Sequence, residues 1–409
     1  MKIWIKYAAG ILIGILFALV APSETPSFVE TIDIITSMVV QFGRYSLYPL
    51  LFFSFAVAVY ELRESKSLFR LGAVTAGVIS ISSIFLAVIG LFAVLARNPS
   101  RIPIFVEATG EIEKIGVANS LLQLFPSSAF EALANGAFIL PLCIFAGFAG
   151  AGATVDKNTS KPAMTLFDSL SRISYAVMTF FVDILSVGMI ALGVNWMIQY
   201  RSMLASRVYW DFILLLLVCL FAVGLVLYPL ILRLVCGKIN PYRVLYAGIA
   251  PVIAAFFSGD ATMTLPVLLR HANESMGVRR RVTSVTLPLF SVFARGGTAL
   301  TVIISFVVIL KSYSSLGIAA ADMLWILIAA TILSFFLGRF SSGGAYIALA
   351  ALCSLYGRGF ESGYLILKPA AFFIGSVAAA LDALTAITGS YIIAKKTDVL
   401  HHRDLRFYI

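Results

Sequence analysis

The chain is 409 residues long, with 60% of them apolar and 12% charged, about half the charged share of an ordinary soluble domain. That leaves too little polar surface to cover a water-soluble globule and rules out disorder, and four cysteines without a C-x-x-C spacing rule out a disulfide scaffold. Thirty Lys and Arg against twenty Asp and Glu give a net charge of +10, but no aromatic-plus-basic module suggests nucleic acid.

The first apolar run, 7–22, follows Lys2 and Lys6 like a signal peptide. Ala21-Pro22-Ser23-Glu24 is a poor cleavage site, however, and more apolar runs follow, so it reads as the first membrane helix. Spans are predicted near 3–22, 35–60, 70–96, 130–155, 170–199 and 209–235. The runs 71–96, 132–155 and 212–232 are each uninterrupted over the roughly 20 residues that cross a bilayer. Continuous rather than alternating apolarity excludes a porin-like barrel. The stretch 97–130 is the longest external loop. With Lys2 and Lys6 inside, Arg63, Lys66, Arg70, Lys157, Lys161, Arg279, Arg280, Arg281, Lys395 and Lys396 also fall inside, and the cationic excess is cytoplasmic. The positive-inside rule then places both termini in the cytoplasm, with anionic membrane lipids as the partners of the basic balance.

The second half is patterned differently. The stretch 244–269 is broken at Ser258-Gly259-Asp260, 282–310 at Ala294-Arg295-Gly296-Gly297, and 323–357 at Arg339 and Ser341-Ser342-Gly343-Gly344, while 369–394 carries Asp382. Residues 240–278 are too few for two full spans, yet both flanks read as cytoplasmic. A re-entrant hairpin is predicted there, and another at 322–358 with flanks on the outside. Two hairpin–helix units of opposite orientation are the inverted-repeat pattern of secondary transporters.

These residues resemble the glutamate-transporter family, the dicarboxylate/amino acid:cation symporters, over about residues 1–397. The resemblance is carried by Asn240-Pro241-Tyr242, Ser258-Gly259-Asp260-Ala261-Thr262-Met263-Thr264-Leu265-Pro266, Thr286-Leu287-Pro288, Gly297-Thr298-Ala299-Leu300, Ser341-Ser342-Gly343-Gly344-Ala345 and Thr388-Gly389. Upstream, Tyr48-Pro49-Leu50, Phe125-Pro126, Ala132-Leu133-Ala134-Asn135-Gly136 and Phe167-Asp168 also match. It implies an all-α fold of eight transmembrane helices plus two re-entrant hairpins, built as inverted repeats and assembled as a homotrimer. Residues 1–69 would supply scaffold helices 1 and 2, 70–97 a transport-domain helix, 98–200 the external loop and scaffold helices 4 and 5, 201–239 a further transport-domain helix, and 240–409 the transport core with its cytoplasmic tail. The implied mechanism is an elevator that couples sodium to uptake of acidic amino acids or dicarboxylates.

The implied substrate site takes Ser258, Gly259, Asp260, Ala261 and Thr262 from the first tip and Arg295 and Thr298 from the following break. The second tip adds Ser341, Ser342, Gly343 and Gly344, and the last helix Asp382, Ala383 and Ala386. The implied sodium positions fall on Ser82, Ser83, Ala294 and Ser390. Here the chain departs from its relatives. Where the family has Asn-Met-Asp-Gly-Thr, this chain has Ala294-Arg295-Gly296-Gly297-Thr298. Another sodium aspartate falls on Ser390, the carboxylate-gripping arginine on Asp382, the amino-holding aspartate on Ala379, and an asparagine on Ala386. On the third helix Ile79 replaces a tyrosine. Sodium prefers hard, charged oxygen ligands, so weak sodium dependence is expected, with Na+ or H+ as the coupling ion and no other cofactor. A proton would ride on Asp382 or Asp260.

Ionisable residues at membrane depth are costly and functional by default. Arg295, Asp382 and Asp260 are therefore assigned to substrate or coupling, Arg339 to snorkelling or capping, and Arg44, Asp168, Arg172 and Asp183 to scaffold pairing or interface anchoring. His271, His401 and His402 are placed in cytoplasmic loops without metal-ligand spacing. No nucleophile–base motif or Walker loop supports an enzyme. The expected function is symport of a small organic solute of the amino-acid or dicarboxylate class, neutral or amino-bearing rather than glutamate. An anion-conducting channel or a transport-inactive receptor on the same fold is the alternative.

Overall fold

Proline, glycine and isolated polar residues set where the helices stop. The computed structural model describes residues 2–21, 25–97, 99–103, 122–134, 138–237, 239–313, 318–401, 403–404 and 408–409. The centre of the long loop (104–121), the Asn135-Gly136 end of one motif and His402 lie outside the described residues. The helices are α1 (Ile3–Val20), α2 (Pro26–Tyr45), α3 (Leu47–Glu64), α4 (Leu68–Arg97), α5 (Ala129–Ala134), α6 (Ile139–Ala153), α7 (Lys157–Ala205) and α8 (Arg207–Cys236). They continue with α9 (Pro241–Ser258), α10 (Ala261–Glu274), α11 (Arg280–Phe293), α12 (Gly296–Tyr313), α13 (Ala320–Phe335), α14 (Gly344–Tyr356) and α15 (Ala371–Lys396). Nine stretches among the described residues are long and apolar enough to cross a membrane, and the chain is an all-helical, multi-pass membrane protein.

Three boundaries differ from the sequence expectation. The span near 35–60 is two helices, α2 and α3, that meet at Ser46. Pro49 lacks the N–H that would bond back to Tyr45, so a continuous helix is disfavoured there. Its first half extends back to Pro26, where Glu30 and Asp33 hide the helix from a search for apolar runs. The span near 130–155 is α5 and α6. The span near 170–199 belongs to α7, whose 49 residues measure about 73 Å at 1.5 Å per residue, far beyond a bilayer's roughly 30 Å core. Its N-terminal turns are polar, and Asp156 caps them by accepting the Thr159 N–H.

The interior is formed by the broken helices. Of the most apolar window of the α11–α12 stretch, 94% is buried, and of the one ending in α15, 83%, against 33% for α1 and α4. The central helices are thus wrapped by protein, where polar groups and broken backbone can be satisfied. α4 and α15 both pack on α12, and α9 packs on α15, while α1 and α3 lie against α7. Outward faces of α1, α4 and α7 carry exposed Leu12, Leu16, Ile81, Phe92, Phe180 and Val187, as lipid contact requires.

The predicted interruptions lie at real helix ends. Asn240 caps α9 through the Tyr242 N–H at 3.1 Å, and Pro241 occupies the first turn. α9 stops at Gly259 (φ +61°) and α14 starts after Gly343 (φ +68°), left-handed positions that glycine occupies without strain. The two turns meet. The Ala261 N–H donates to the Ser341 carbonyl at 2.9 Å, and Asp260 and Ser342 form an isolated β-bridge.

Candidate functional site

Asp382 lies in the middle of α15 and is 7% exposed. Its carboxylate faces the start of α12. Oδ1 accepts the N–H groups of Gly297 at 2.8 Å and Thr298 at 3.4 Å, and Oδ2 accepts the Thr298 hydroxyl at 2.9 Å. A helix N-terminus offers unpaired N–H groups and a partial positive charge. Asp382 therefore caps a neighbouring helix as an anion. Arg295, in the break between α11 and α12, places Nη1 3.9 Å from Asp382 Oδ2, and its Nη2 donates to the Phe340 carbonyl at 3.3 Å. Arg295 Nε is buried without a hydrogen-bond partner. The result is a paired cation and anion with one donor edge of the guanidinium still open.

The Gly296-Gly297 pair lets helices close on this break from both sides. A Cβ on Gly296 would stand 2.8 Å from the Ser83 Cα of α4, and one on Gly297 would stand 2.4 Å from the Leu381 Cβ of α15. The cavity beside Asp382, lined in part by Ala261, Ser291, Ala379, Ala383 and Ala386, measures about 20 Å³. That is room for about one water, so an amino-acid-sized ligand enters only if the walls part.

The two tips form the adjoining wall. Asp260 Oδ1 accepts the Met263 N–H at 2.7 Å and caps α10. Its other oxygen pairs with Arg44 of α2, and the same Arg44 Nη2 donates to Ser341 Oγ at 2.5 Å. One guanidinium thus holds both tips. Of the two roles expected for Arg44, pairing within the scaffold segments is not what is seen: its partners lie 216 and 297 positions away. Asp168 does pair within its helix, with Arg172 at 2.9 Å. Asp183 instead joins elements, meeting Lys6 at 3.7 Å and Arg270 of α10 at 3.1 Å. His271 is corrected too: it is not in a loop but within α10 and 2% exposed.

The other positions carried over from the sequence scatter in role. Ser258 Oγ donates to Ala254 O at 2.6 Å, Gly259 and Gly343 supply the turns, and Thr262 is 4% exposed. Ser342 and Gly343 are exposed, and Gly344 opens α14. At the positions the family resemblance assigns to sodium, Ser82 and Ser390 turn their hydroxyls onto their own helices, to Ile79 O at 2.9 Å and Ile387 O at 3.0 Å. Ser83 Oγ is buried without a partner, and Ala294 is fully buried. No carboxylate stands at these four positions, and α4 backbone fills the space an acidic side chain at residue 296 would need. Sequence reasoning missed Arg44 as a tip contact, Ser291, whose hydroxyl reaches Ala261 O at 3.4 Å, and the 2.5 Å contact between Tyr228 Oη and Thr385 Oγ1. Only Arg44, a lone charge beside Gly43 in an apolar stretch, carried a sequence signal.

Comparison with known proteins places the chain among transporters. Residues 1–396 match the profile of the Sodium:dicarboxylate symporter family. The "Serine/threonine transporter SstT" of Lacticaseibacillus casei is 25% identical over 370 residues, covering 86% of this chain and 79% of that protein. The "Proton/sodium-glutamate symport protein" of Geobacillus stearothermophilus is 21% identical over 331 residues, covering 76% and 74%. The human "Neutral amino acid transporter B(0)" is 30% identical over 121 residues, covering 30% of this chain and 22% of its own length.

Proposed function

The chain belongs to the sodium:dicarboxylate symporter family, and from that premise we propose that it carries small neutral amino acids, of serine or threonine size, as a secondary transporter. The observation that carries this is the Arg295–Asp382 pair. Two opposite charges 3.9 Å apart complement the carboxylate and ammonium of a zwitterion. The open Nε edge of Arg295 takes the carboxylate, and Asp382 Oδ2 takes the ammonium beside the Thr298 hydroxyl. A third charge, on an acidic side chain, meets no cation there. Arg44 is committed to Asp260, and Asp382 stands where the family resemblance implies the arginine for that group. The small cavity lined by Ala379, Ala383 and Ala386 suits a short side chain. Two of the relatives are named for serine/threonine or neutral amino acids, in keeping with this reading.

The coupling follows from the same residues. With serine and alanine at the implied sodium positions, sodium dependence is weak, and Asp382 or Asp260 is the candidate proton carrier. Residues 240–278 and 322–358 act as re-entrant hairpins whose touching tips form the gate, in a transport core (240–409, with 70–97 and 201–239) that moves as an elevator against scaffold segments 1–69 and 98–200 of a homotrimer. Both termini face the cytoplasm, consistent with the placement of Lys and Arg.

The test is counterflow into proteoliposomes preloaded with unlabelled serine. Labelled serine or threonine accumulates, whereas aspartate, glutamate and succinate neither accumulate nor compete. A channel or a receptor shows no acceleration by preloading, and robust aspartate counterflow contradicts the zwitterion reading.

A further inference from the structure

Away from the tips, the turn after α15 folds back onto the turn between α10 and α11, beside the start of α9. The His401 N–H donates to Gly277 O at 2.9 Å, and Val278 and Leu400 form an isolated bridge. Between these segments lies a cavity of about 370 Å³, nearly twenty times the volume beside Asp382. Its polar lining carries Arg243, Lys395 and Arg403 against one carboxylate, Asp398. His401 is already engaged, its Nε2 accepting the Arg279 Nε–H at 2.9 Å. Arg403 is engaged by the Glu274 carbonyl at 2.9 Å. Arg243 and Lys395 have no ion-pair partner among the described residues, and Arg243 Nε is buried without a hydrogen bond. A buried donor left open on a cation is unfavourable, and an anion relieves it.

The lining also includes an apolar set, Ile239, Val244, Met276 and Leu400. A free phosphate has no use for such a set, whereas a lipid's glycerol and first acyl carbons do. The neighbouring sequence is lipid-facing: Leu234 is 75% and Tyr242 58% exposed, and a tyrosine beside cations is the usual dress of the headgroup layer. Basic pockets at this level between membrane helices recognise anionic headgroups.

We propose that this cavity binds the phosphate of an anionic phospholipid, with Arg243 and Lys395 as the phosphate ligands and the apolar set holding the glycerol end. The proposal is independent of which solute the protein carries and needs only its place in a membrane.

The test uses the full chain, stripped of lipid in detergent and returned to nanodiscs of phosphatidylcholine with or without phosphatidylglycerol. Native mass spectrometry and melting temperature are the readouts. Wild type retains phosphatidylglycerol and melts higher with it, while phosphatidylcholine alone does neither. In the double variant Arg243→Gln/Lys395→Gln, affinity for phosphatidylglycerol falls about thirtyfold, about fivefold per cation near a headgroup. Lys157→Gln, an exposed cation elsewhere, leaves it unchanged. Should the double variant fail to fold, exposed Lys395→Gln alone is expected to give the fivefold loss. Equal retention by wild type and the folded variants overturns the proposal. So does stabilisation by inorganic phosphate or glycerol phosphate as strong as that by phosphatidylglycerol, which makes the ligand a soluble phosphate.

Discussion

Replacing Arg44 by Gln removes a cation that touches both tips. Asp260 is 1% exposed and Arg44 22%, so the change leaves a buried carboxylate that keeps the hydrogen bond from the Met263 N–H but loses its ion-pair partner. Breaking a buried pair from one side costs about 3–5 kcal/mol. The partial exposure of Arg44 lets water in and brings this to about 2 kcal/mol, and the lost bond to Ser341 adds about 1 kcal/mol. The sum, about 3 kcal/mol, is over a hundredfold in an equilibrium. If the tips swing open to hydrate Asp260, the loss appears as opening rather than as global unfolding. Thr262, 4% exposed just behind the first tip, is the reporter. In a Thr262→Cys background, Arg44→Gln should raise the rate of labelling by a small maleimide by about two orders of magnitude, with Arg44→Lys between the two. Because Arg44 and Asp260 act as a pair, Arg44→Gln added to Asp260→Asn should do little more than either alone. Unchanged labelling together with an unchanged melting temperature would refute the clasp.

Gly296→Ala forces a Cβ to within 2.8 Å of α4 backbone, and the melting temperature should fall by an amount equivalent to about 1–3 kcal/mol; Gly296→Asp should be no better tolerated and should not create sodium-dependent stabilisation. Asp382→Asn strips the negative charge that faces Arg295 while keeping one carbonyl acceptor for the α12 amides, so serine counterflow should collapse while the protein remains folded by size exclusion. Asp382→Arg replaces three accepted hydrogen bonds by a cation at a helix N-terminus and should abolish uptake of every substrate rather than create uptake of acidic ones. Hydrogen bonds from the Thr159 hydroxyl and N–H hold the Asp156 carboxyl below its ordinary range. A depressed carboxylate contributes stability above its unfolded-state value and loses it as pH falls through the folded one, so Asp156→Ala should melt lower at neutral pH and lose less on acidification below the usual carboxylate range.

The interruptions were legible in the sequence because glycine and charge seldom sit inside an apolar run at membrane depth unless the helix stops there. Gly259, Gly343 and the Ala294–Arg295 break all stand at helix ends. Family positions also brought Arg295 and Asp382 into one region, although they left open whether the two pair. What Asp382 does with its oxygens was not legible, since capping α12 from α15 depends on how closely Gly297 lets the two helices approach. Nor was the meeting of the tips, a backbone bond between Ala261 and Ser341 that no side-chain pattern encodes. Arg44 was visible as a charge in an apolar stretch but its partners were not, because they depend on Gly43 packing against Met263, whose Cγ a Cβ there would meet at 2.9 Å. The start of α2 was hidden by Glu30 and Asp33, which look like loop in a search for apolar runs.

The most direct measurement of the central claim is uptake of labelled serine and labelled aspartate, side by side, into proteoliposomes in sodium and in choline at constant pH. The proposed zwitterion site, with no carboxylate at the implied sodium positions, predicts serine uptake that changes only a few-fold between the two salts, and no aspartate uptake in either. Aspartate uptake that depends steeply on sodium and disappears in choline would contradict it.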